Sequence, residues 1–420
     1  MARQFTPLDA SALLAATVRE ATGQEMTIQQ VNTSNFVSVG ETVLNTGKEN
    51  TFNALYQVAF RTLIRSQQYT QKLKVIRTKG SNLFANKVRE ISYYAKDPLP
   101  AGNFNTNLWT NFAPGFTNGQ NPDSGGTPQS LKSMYEQNPP IPFEHWFGGT
   151  EVWDDVLTIY SNQIDQVFNG PQELANFFNG VAQEKQNDIE SQKEAFCRAT
   201  LINYLAMIYD QSARMPGSSR NMTADYNAKF GTSYTSAQLR TTQLKSFLEF
   251  LVSEIKTDII RLENRSALYH DPMTITIDGI NYSLLRTADR REQRLIMYAP
   301  FWKDAEAQVM SEIFNENYLR IDNFEEVTFW QNEVESEKID CVPAVYDPVT
   351  GTQVAGNRVQ IDYVLGTLHS SDSCFVDFQL DDASATPWES RKKFRNIWYH
   401  MAQLSQNNPT MKGILYYMAD

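Results

Sequence analysis

A stretch of about forty residues near the middle of the chain has the periodicity of one long helix but few large apolar residues at its centre. It runs from about Pro171 to about Asp210, and Ile189 is the one larger apolar residue between Val181 and Phe196. At about 100° per residue, its apolar side chains fall within roughly 60° of one line along the helix. These residues are Leu174, Phe177, Phe178, Val181, Ile189, Phe196, Ile202 and Ala206. The sequence therefore predicts a rod with one narrow seam to bury.

Such a rod would be about 60 Å long, which is wider than a typical single core. Two arrangements fit it. The rod is either a surface helix laid along its own domain, or a spine that crosses the subunit and presents its polar middle to neighbouring molecules. Gly180 favours a kink within it, because glycine costs about 1 kcal/mol in a helix interior. Near the carboxyl end, Leu201, Leu205 and Ile208 lie on the opposite side and predict burial all round.

Composition restricts the class of protein. The chain has 420 residues, enough for one large domain or two ordinary ones. Its 41% hydrophobic and 20% charged residues are typical of a folded globular protein. A net charge of −11 argues against a broadly basic surface, although a local basic patch is compatible with it. We see no signal peptide at the amino terminus and no apolar run near the roughly 18 residues of a membrane span. We expect a protein that is soluble and intracellular when made.

Residue types that bind metals or cofactors are scattered without a ligand pattern. The three cysteines lie far apart and form no CxxC pair, which predicts buried thiols in a reducing compartment. The four histidines show neither HxxxH nor HExxH spacing, so we expect no metal and no cofactor. The residues in question are Cys197, Cys341, Cys374, His145, His270, His369 and His400.

The first half of the chain predicts short helices, a basic hairpin and an irregular loop. Residues 9–21 predict an amphipathic helix, residues 27–50 a polar arm, and a firmer helix begins at Thr51. The segments "QKLKVIR" and "NKVREISYY" predict the two strands of a β-hairpin around "TKGSN". From Pro98 to Pro142 the periodicity disappears, and a structureless loop of this length is uncommon inside a compact domain. We expect an ordered loop that finds its partner surface elsewhere. Its aromatic residues include Phe104, Trp109, Phe112 and Phe116.

The second half predicts a mixed domain inserted between elements of another. Residues Arg214–Gln238 predict an exposed connection, and a strong helix follows from about Thr242 to Asn264. "MTITIDGINYSLL" places Asp-Gly between alternating apolar residues, a strong hairpin signal. "RLIMY", "FWKDAEAQVMSEIF" and "EVTFW" predict strand, helix and strand, and the carboxyl end predicts two aromatic strands joined by an Asn-Pro turn. The fold class is therefore α+β.

Charge is unevenly distributed along the chain. Seven bases and one acid, Glu90, lie between Lys72 and Lys96, whereas eleven acids and two bases lie between Asp304 and Asp340. The seven bases are Lys72, Lys74, Arg77, Lys79, Lys87, Arg89 and Lys96. The two regions are either complementary halves of a contact between copies of the chain, or a nucleic-acid-binding hairpin and a solvated acidic surface.

Several segments, taken in this order, resemble a known family. They are "TKGSNLFANKVREISYY", then "NPPIPFEHWFGGTEVWDDVLTIYSN" leading to "FNGPQELANFFNGVAQ", then "AFCRATLINYL" and the end "NIWYHMAQLSQNNPTMKGILYYM". The order resembles that of the Hong-Kong-97-type major capsid protein of tailed bacteriophages, and most of all the phi-29-like capsid proteins of small short-tailed phages. The resemblance spans roughly residues 35–420 in element order, with sparse residue identity.

The resemblance implies a domain organisation. It comprises a long spine helix, an extended β-hairpin loop and an inserted mixed α/β axial domain. The implied divisions are an amino-terminal arm at 1–45, the first part of a peripheral domain at 46–66, the extended loop at 67–145, the peripheral domain with the spine at 146–239, the axial domain at 240–365 and returning peripheral strands at 366–420. In this fold the extended loop of one subunit lies over the spine of its neighbour. The implied contact residues between subunits are Lys72, Lys74, Arg77, Lys79, Lys87, Arg89, Trp109, Phe112 and Phe116.

The resemblance also implies a function and partners. The chain is expected to be a non-enzymatic major head protein that self-assembles into hexamers and pentamers of an icosahedral or prolate shell. The expected partners are further copies of the chain, scaffolding, portal and head-decoration proteins, and packaged double-stranded DNA on the inner face, with no membrane. The expected location is the virion capsid, after assembly in the host cytoplasm.

Three other functions remain open from the sequence. An encapsulin-type bacterial nanocompartment shares the fold class. A carbohydrate-binding surface protein would account for loops rich in Trp and Asn. An enzyme would use paired carboxylates among Glu151, Asp154 and Asp155, although an acidic helix start has the same pattern.

Overall fold

The structure is a computed structural model that describes residues 7–23, 31, 34–55, 73, 77–79, 88–94, 140–147, 149–177, 180, 183–277, 280–308, 324–347 and 352–420. The helices within these residues are α1 (Pro7–Thr22), α2 (Phe36–Leu44), α3 (Lys48–Leu55), α4 (Ser161–Val167), α5 (Pro171–Phe177), α6 (Gln183–Asp210), α7 (Met222–Phe230), α8 (Ser236–Arg240), α9 (Leu244–Glu263) and α10 (Ala299–Gln308). The strands are β1 (Arg77–Lys79), β2 (Val88–Tyr94), β3 (Ile141–Phe147), β4 (Gly149–Tyr160), β5 (Ser219–Asn221), β6 (Ile275–Ile277), β7 (Ile280–Tyr282), β8 (Gln293–Tyr298), β9 (Phe324–Val327), β10 (Ile339–Cys341), β11 (Ala344–Tyr346), β12 (Gln353–Ala355), β13 (Val359–Ile361), β14 (Val364–Ser370), β15 (Cys374–Ala385), β16 (Phe394–Asn407) and β17 (Gly413–Tyr417).

Four strands form one sheet in the order β1–β15–β16–β4. β16 pairs antiparallel with β15 and β4, and the short β1 pairs parallel with β15. Side chains along most of β16 alternate between buried and partly exposed, so one face of the sheet is covered and the other is open. The covered face packs Ile397, Tyr399 and Met401 against residues of α1, α2 and α5. We call this cluster the first core.

Five strands form a second sheet in the order β5–β17–β14–β8–β9. Every side chain of β14 is buried, as expected for a central strand covered on both faces. Phe247, Leu251 and Ile255 of α9 pack with this sheet in what we call the second core. Gly366 allows β14 to approach β8 closely, because a Cβ there would lie 2.6 Å from the carbonyl oxygen of Ile296.

The spine helix α6 connects the two cores. Ile189 belongs to the first core, whereas Leu201, Leu205 and Ile208 belong to the second. α6 has 28 residues and is therefore about 42 Å long. Of the predicted rod the structure describes α5, Gly180 and α6, whereas residues 178–179 and 181–182 lie outside the described residues, so the kink expected at Gly180 stays a prediction. The predicted spine that crosses the subunit is confirmed.

The extended two-stranded element exists, but its strands differ from those predicted. β2 pairs antiparallel with β3 from Val88↔Phe147 to Tyr94↔Ile141, so the ribbon joins strands on either side of the long loop. β1 belongs instead to the four-stranded sheet, beside β15. The predicted hairpin between "QKLKVIR" and "NKVREISYY" is therefore wrong for the residues that the structure describes. We call the β2–β3 pair the ribbon.

Two segments predicted as irregular are helical. The supposed polar arm at 27–50 contains α2 and the start of α3, and α2 buries Phe36, Val39 and Val43. The supposed exposed connection Arg214–Gln238 contains β5, α7 and most of α8. It contributes Met215, Met222 and Tyr226 to the second core. Both segments are short amphipathic elements interrupted by polar turns, which hide the helical period from a longer window.

Other predicted elements are confirmed. α1 and α9 have nearly the predicted bounds, and the Asp-Gly dipeptide lies between the antiparallel β6 and β7. β8, α10 and β9 form the predicted strand, helix and strand, with β8 parallel to β9. The two terminal strands also exist, but β16 and β17 lie in different sheets. The Asn-Pro turn therefore carries the chain from one sheet to the other.

Candidate intersubunit surfaces

The ribbon leaves one apolar face uncovered. Because side chains alternate along a strand, Ile91 and Tyr93 of β2 share a face with Trp146 of β3. Ile91, Tyr93 and Trp146 are 49%, 63% and 49% exposed. Large side chains of this kind are seldom left in water together unless another surface covers them. We call this the outer face of the ribbon.

Arg89 is the one predicted contact residue whose side chain the structure describes. It is exposed on the outer face, where its Nε donates to Glu144 Oε1 at 2.8 Å across the ribbon. Its guanidinium also lies 5.6 Å from the centre of the Trp146 ring. The hydrogen bond with Glu144 raises the pKa of Arg89, and that with Arg89 lowers the pKa of Glu144. Much of the Arg89 charge is therefore satisfied within its own ribbon.

The remaining predicted contact residues have less structural detail. Arg77 and Lys79 lie in β1, the strand paired with β15. The others lie outside the described residues, and these are Lys72, Lys74, Lys87, Trp109, Phe112 and Phe116. The structure thus locates the basic segment at two places, the edge of the four-stranded sheet and the ribbon.

The four-stranded sheet carries the second uncovered apolar face. Val152, Val156 and Tyr160 lie on the open side of β4 and are 68%, 38% and 50% exposed. In the adjacent strand, Trp398 is paired with Val156 and Phe394 with Tyr160. Sequence reasoning missed this surface, although the alternation in "GTEVWDDVLTIY" is a signal that could have found it. We call it the open sheet face.

The carboxylates considered for an enzyme lie on this sheet. His400 Nδ1 is 2.7 Å from Asp154 Oδ1, and its Nε2 is 2.8 Å from Ser384 Oγ. The order of contacts is that of a serine–histidine–aspartate triad, but acyl transfer also needs a pocket and donors for an oxyanion. The side chains of Ser384, His400 and Asp154 are instead exposed or half-exposed on the open sheet face. We therefore assign them a hydrogen-bonding role across the three strands that carry them. Asp155 pairs with Lys185 at 2.5 Å, and Glu151 is exposed.

Four charged side chains in the middle of α6 are buried. Lys193 Nζ lies 3.5 Å from Glu190 Oε1, and Arg198 donates to Glu194 Oε1 at 3.0 Å. Arg198 also stacks 3.8 Å from the centre of the Phe329 ring and donates to the carbonyl oxygen of that residue. All four charged side chains are buried within one chain. These four side chains are therefore not available for a contact with neighbouring molecules. The exposed stripe of α6 comprises Glu184, Asp188, Ser191, Gln192, Ala195 and Ala199, and its contact with a neighbouring molecule stays a prediction.

Part of the acidic stretch is also paired within the chain. Glu335 lies 2.8 Å from Lys338, and Glu326 lies 3.0 Å from Lys303. Asp340 forms a two-point contact with Arg358, and the hydrogen bonds from Arg358 and Gln360 lower the pKa of Asp340 to about 2. These surface pairs reduce the net charge that another molecule would meet.

We find no group of three or more His, Cys, Asp or Glu that could hold a metal ion among the described residues. Cys197 and Cys374 are buried as predicted, and burial raises the pKa of the Cys374 thiol. Cys341 differs from the prediction because it is half-buried. In the described part of the chain, no helix is both long and apolar enough to span a membrane.

Comparison with solved structures identifies the fold. The capsid structure of Staphylococcus phage Andhra matches over 85% of this chain and 87% of that chain, with 12% identity and a TM-score of 0.50. A structure of the head fiber and inner core protein gp22 of native bacteriophage P68 matches over 83% of this chain and 85% of that chain, with 12% identity and a TM-score of 0.47. No protein-family model and no curated protein matches the chain. At this identity the likeness concerns fold alone, and the chain has the predicted Hong-Kong-97-type phage capsid fold.

Proposed function

We propose that this chain is a major capsid protein, which assembles with further copies of itself into the head of a tailed bacteriophage. The observation that carries the proposal is the fold, which matches a phage capsid structure over 85% of the chain. The two uncovered apolar faces support it, since a single copy leaves both in water. Such a subunit needs no catalytic centre, because its activity is repeated binding.

The finer features of the proposal follow from the sequence resemblance. They are hexamers and pentamers, a closed shell around double-stranded DNA, and scaffolding, portal and head-decoration partners. They also include assembly in the host cytoplasm and kinship with phi-29-like short-tailed phages. In this proposal residues 67–145 form the extended loop, 146–239 and 366–420 the peripheral domain, and 240–365 the axial domain.

We further propose that the outer face of the ribbon of one copy covers the open sheet face of the next. Both surfaces are formed by strands and expose large apolar side chains, and full burial of one such side chain is worth about 1.5–3 kcal/mol. Each contact can remain modest because every copy is held by several neighbours at once. Weak single contacts also allow a misplaced copy to dissociate.

Negative-stain microscopy of the purified recombinant chain tests this function, with particles expected from the wild type. Tyr93→Ser and Val152→Ser each remove an exposed apolar side chain, so particle yield should fall while the subunit still unfolds at the wild-type temperature. If the two residues contact each other across the interface, the two losses should not add. The particle yield of the double variant should then equal that of the single variant with the lower yield.

Val334→Ser is the matched control, because Val334 is 89% exposed on the turn between β9 and β10. It should assemble as the wild type does. A wild-type chain that stays monomeric would contradict the proposed function. Strictly additive losses in the double variant would contradict the pairing of the two faces.

A further inference from the structure

The inner face of the ribbon is fixed by polar contacts that converge on Glu90. Glu90 Oε1 accepts a hydrogen bond from Arg286, and Oε2 accepts one from Asn408 Nδ2 at 2.7 Å. Thr410 Oγ1 donates to Asn408 Oδ1 at 2.7 Å, which helps to hold this amide against Glu90. Ser92 Oγ accepts a further bond from Arg286 Nη2 at 2.8 Å. A carboxylate accepts hydrogen bonds only from a limited range of directions. These contacts therefore fix the angle of the ribbon as well as its position.

A second contact lies at the far end of β2. The Tyr94 hydroxyl donates to the carbonyl oxygen of Met273 at 2.8 Å. The ring of Tyr94 packs with Tyr282 and Leu284 in a small cluster that also includes Phe143 of β3. A two-stranded ribbon is only marginally stable alone, so its orientation depends on contacts of this kind.

The surface that receives the ribbon is itself held in an unusual conformation. Tyr269 and Met273 have φ angles of 69° and 43°, a region that is unfavourable for residues other than glycine. Asp271 stabilises the segment, because its Oδ1 accepts from the Met273 backbone N–H at 3.0 Å and its Oδ2 accepts from Arg214. This strained turn aims the Met273 carbonyl at Tyr94.

We propose that Glu90 and Tyr94 are positioning residues, which set the direction in which the ribbon leaves its own subunit and thereby the curvature of the assembled shell. This inference rests on the proposed function, because it assumes that the outer face of the ribbon binds a neighbouring copy. The receiving groups come from three separate segments, at Met273, at Arg286 and at residues 408–410. The ribbon is therefore fixed relative to the chain that joins the two sheets. A ribbon freed from Glu90 would still bind a neighbour, but at a variable angle.

Hydrogen exchange and microscopy of the full-length chain test the inference together. In Glu90→Ala, amide exchange over residues 89–94 should become about tenfold to a hundredfold faster, because several hydrogen bonds to a charged group are lost. The melting temperature of the subunit should stay close to wild type. The particles should change from one diameter to a mixture of open and irregular forms. Glu90→Gln keeps the shape and part of the bonding, so it should give an intermediate result.

Tyr94→Phe removes one hydroxyl and no packing volume, so it tests the second contact even if Glu90→Ala folds poorly. Glu20→Gln, on the exposed side of α1, makes the same chemical change as Glu90→Gln and should behave as wild type. Wild-type exchange in Glu90→Ala would overturn the inference, and so would a loosened ribbon in uniform particles of wild-type diameter. Absence of particles from the wild-type chain would instead overturn the proposed function, and the exchange rates would still report whether Glu90 holds the ribbon.

Discussion

His369 lies near the carboxyl end of β14 with no exposed surface, and burial lowers the pKa of its imidazole to about 3. An unfolded histidine has a pKa near 6.5, so between these values the unfolded chain binds a proton that the folded chain excludes. The stability that neutral His369 contributes is therefore complete above pH 6.5 and is lost as the pH falls toward 3. At about pH 4.5 the loss is of the order of 2–3 kcal/mol.

We expect His369→Leu to flatten the pH dependence of stability, because leucine does not titrate. The measurement is the free energy of unfolding in urea, taken on unassembled subunits at pH values from about 7.5 to about 4.5. Substitution also changes packing, but that effect displaces the curve without changing its slope. The same substitution of His400, half-exposed on the open sheet face, is the control. Equal slopes in His369→Leu and the wild type would show that another group causes the acid sensitivity.

Glu90 shows why the roles of single residues were only partly predictable. In the sequence it was one acid among seven bases and carried no role. Its hydrogen-bond donors Arg286 and Asn408 are separated from it by 196 and 318 positions. Charge counts along a chain are one-dimensional and cannot show that a strand returning from the other end of the molecule will supply these donors. Arg89 beside it was predicted as a contact residue between subunits, which stays a prediction, and its ion pair with Glu144 depended on the same unknown pairing of strands.

At the scale of elements, α6 shows that charged residues in the middle of a helix can be buried. The narrow seam includes Ile189, which packs in the first core, and the apolar carboxyl end is buried, as predicted, in the second core. Between Ile189 and Leu201 the helix passes from the first core to the second. Lys193 and Glu190 form a buried ion pair in this part of the helix. Helical periodicity assigns charged residues to the solvent by default, so the pattern could not predict a buried pair.

We expect Lys193→Ala to lower the free energy of unfolding by about 3–5 kcal/mol, because it removes the cation that faces Glu190 in a buried site. Urea denaturation of the subunit measures the effect. Gln192→Ala, at the adjacent exposed position, should change stability by less than about 0.5 kcal/mol. Lys193→Met combined with Glu190→Leu should recover much of the loss, since a buried ion pair can often be replaced by apolar residues. If Lys193→Ala changes the free energy of unfolding only slightly, water must reach Glu190 between the two cores.

At the scale of the whole molecule, local signals predicted elements well and their partners poorly. β2 and β3 pair across the long loop, and β16 and β17 separate at the Asn-Pro turn into two sheets. Both facts depend on long-range pairing that periodicity does not encode. The order of elements still identified the fold, because connectivity is preserved where individual residues are not. The order of elements does not predict how copies of the chain recognise one another. The uneven distribution of charge along the chain does make a prediction about this contact.

Reversing Arg77, Lys79 and Lys87 to Glu should reduce particle yield if the basic segment between Lys72 and Lys96 meets acids of a neighbouring chain. Complementary charge mainly steers and registers association, so the wild-type yield should also fall as salt screens these contacts over about 10 Å at 0.1 M. Sedimentation of assembled material, checked by negative-stain microscopy, measures both effects.

A second triple variant separates a local contact from the effect of net charge. Arg391, Lys392 and Lys393 are exposed between β15 and β16, and their reversal to Glu changes the net charge by the same amount. The proposed contact requires this control to assemble normally, because the altered charges lie outside the basic segment. Equal losses in both variants would assign the effect to overall repulsion between acidic subunits. Wild-type yield from the Arg77, Lys79 and Lys87 variant would exclude these bases from the interface and leave the apolar faces of the ribbon and sheet as the surfaces through which copies join.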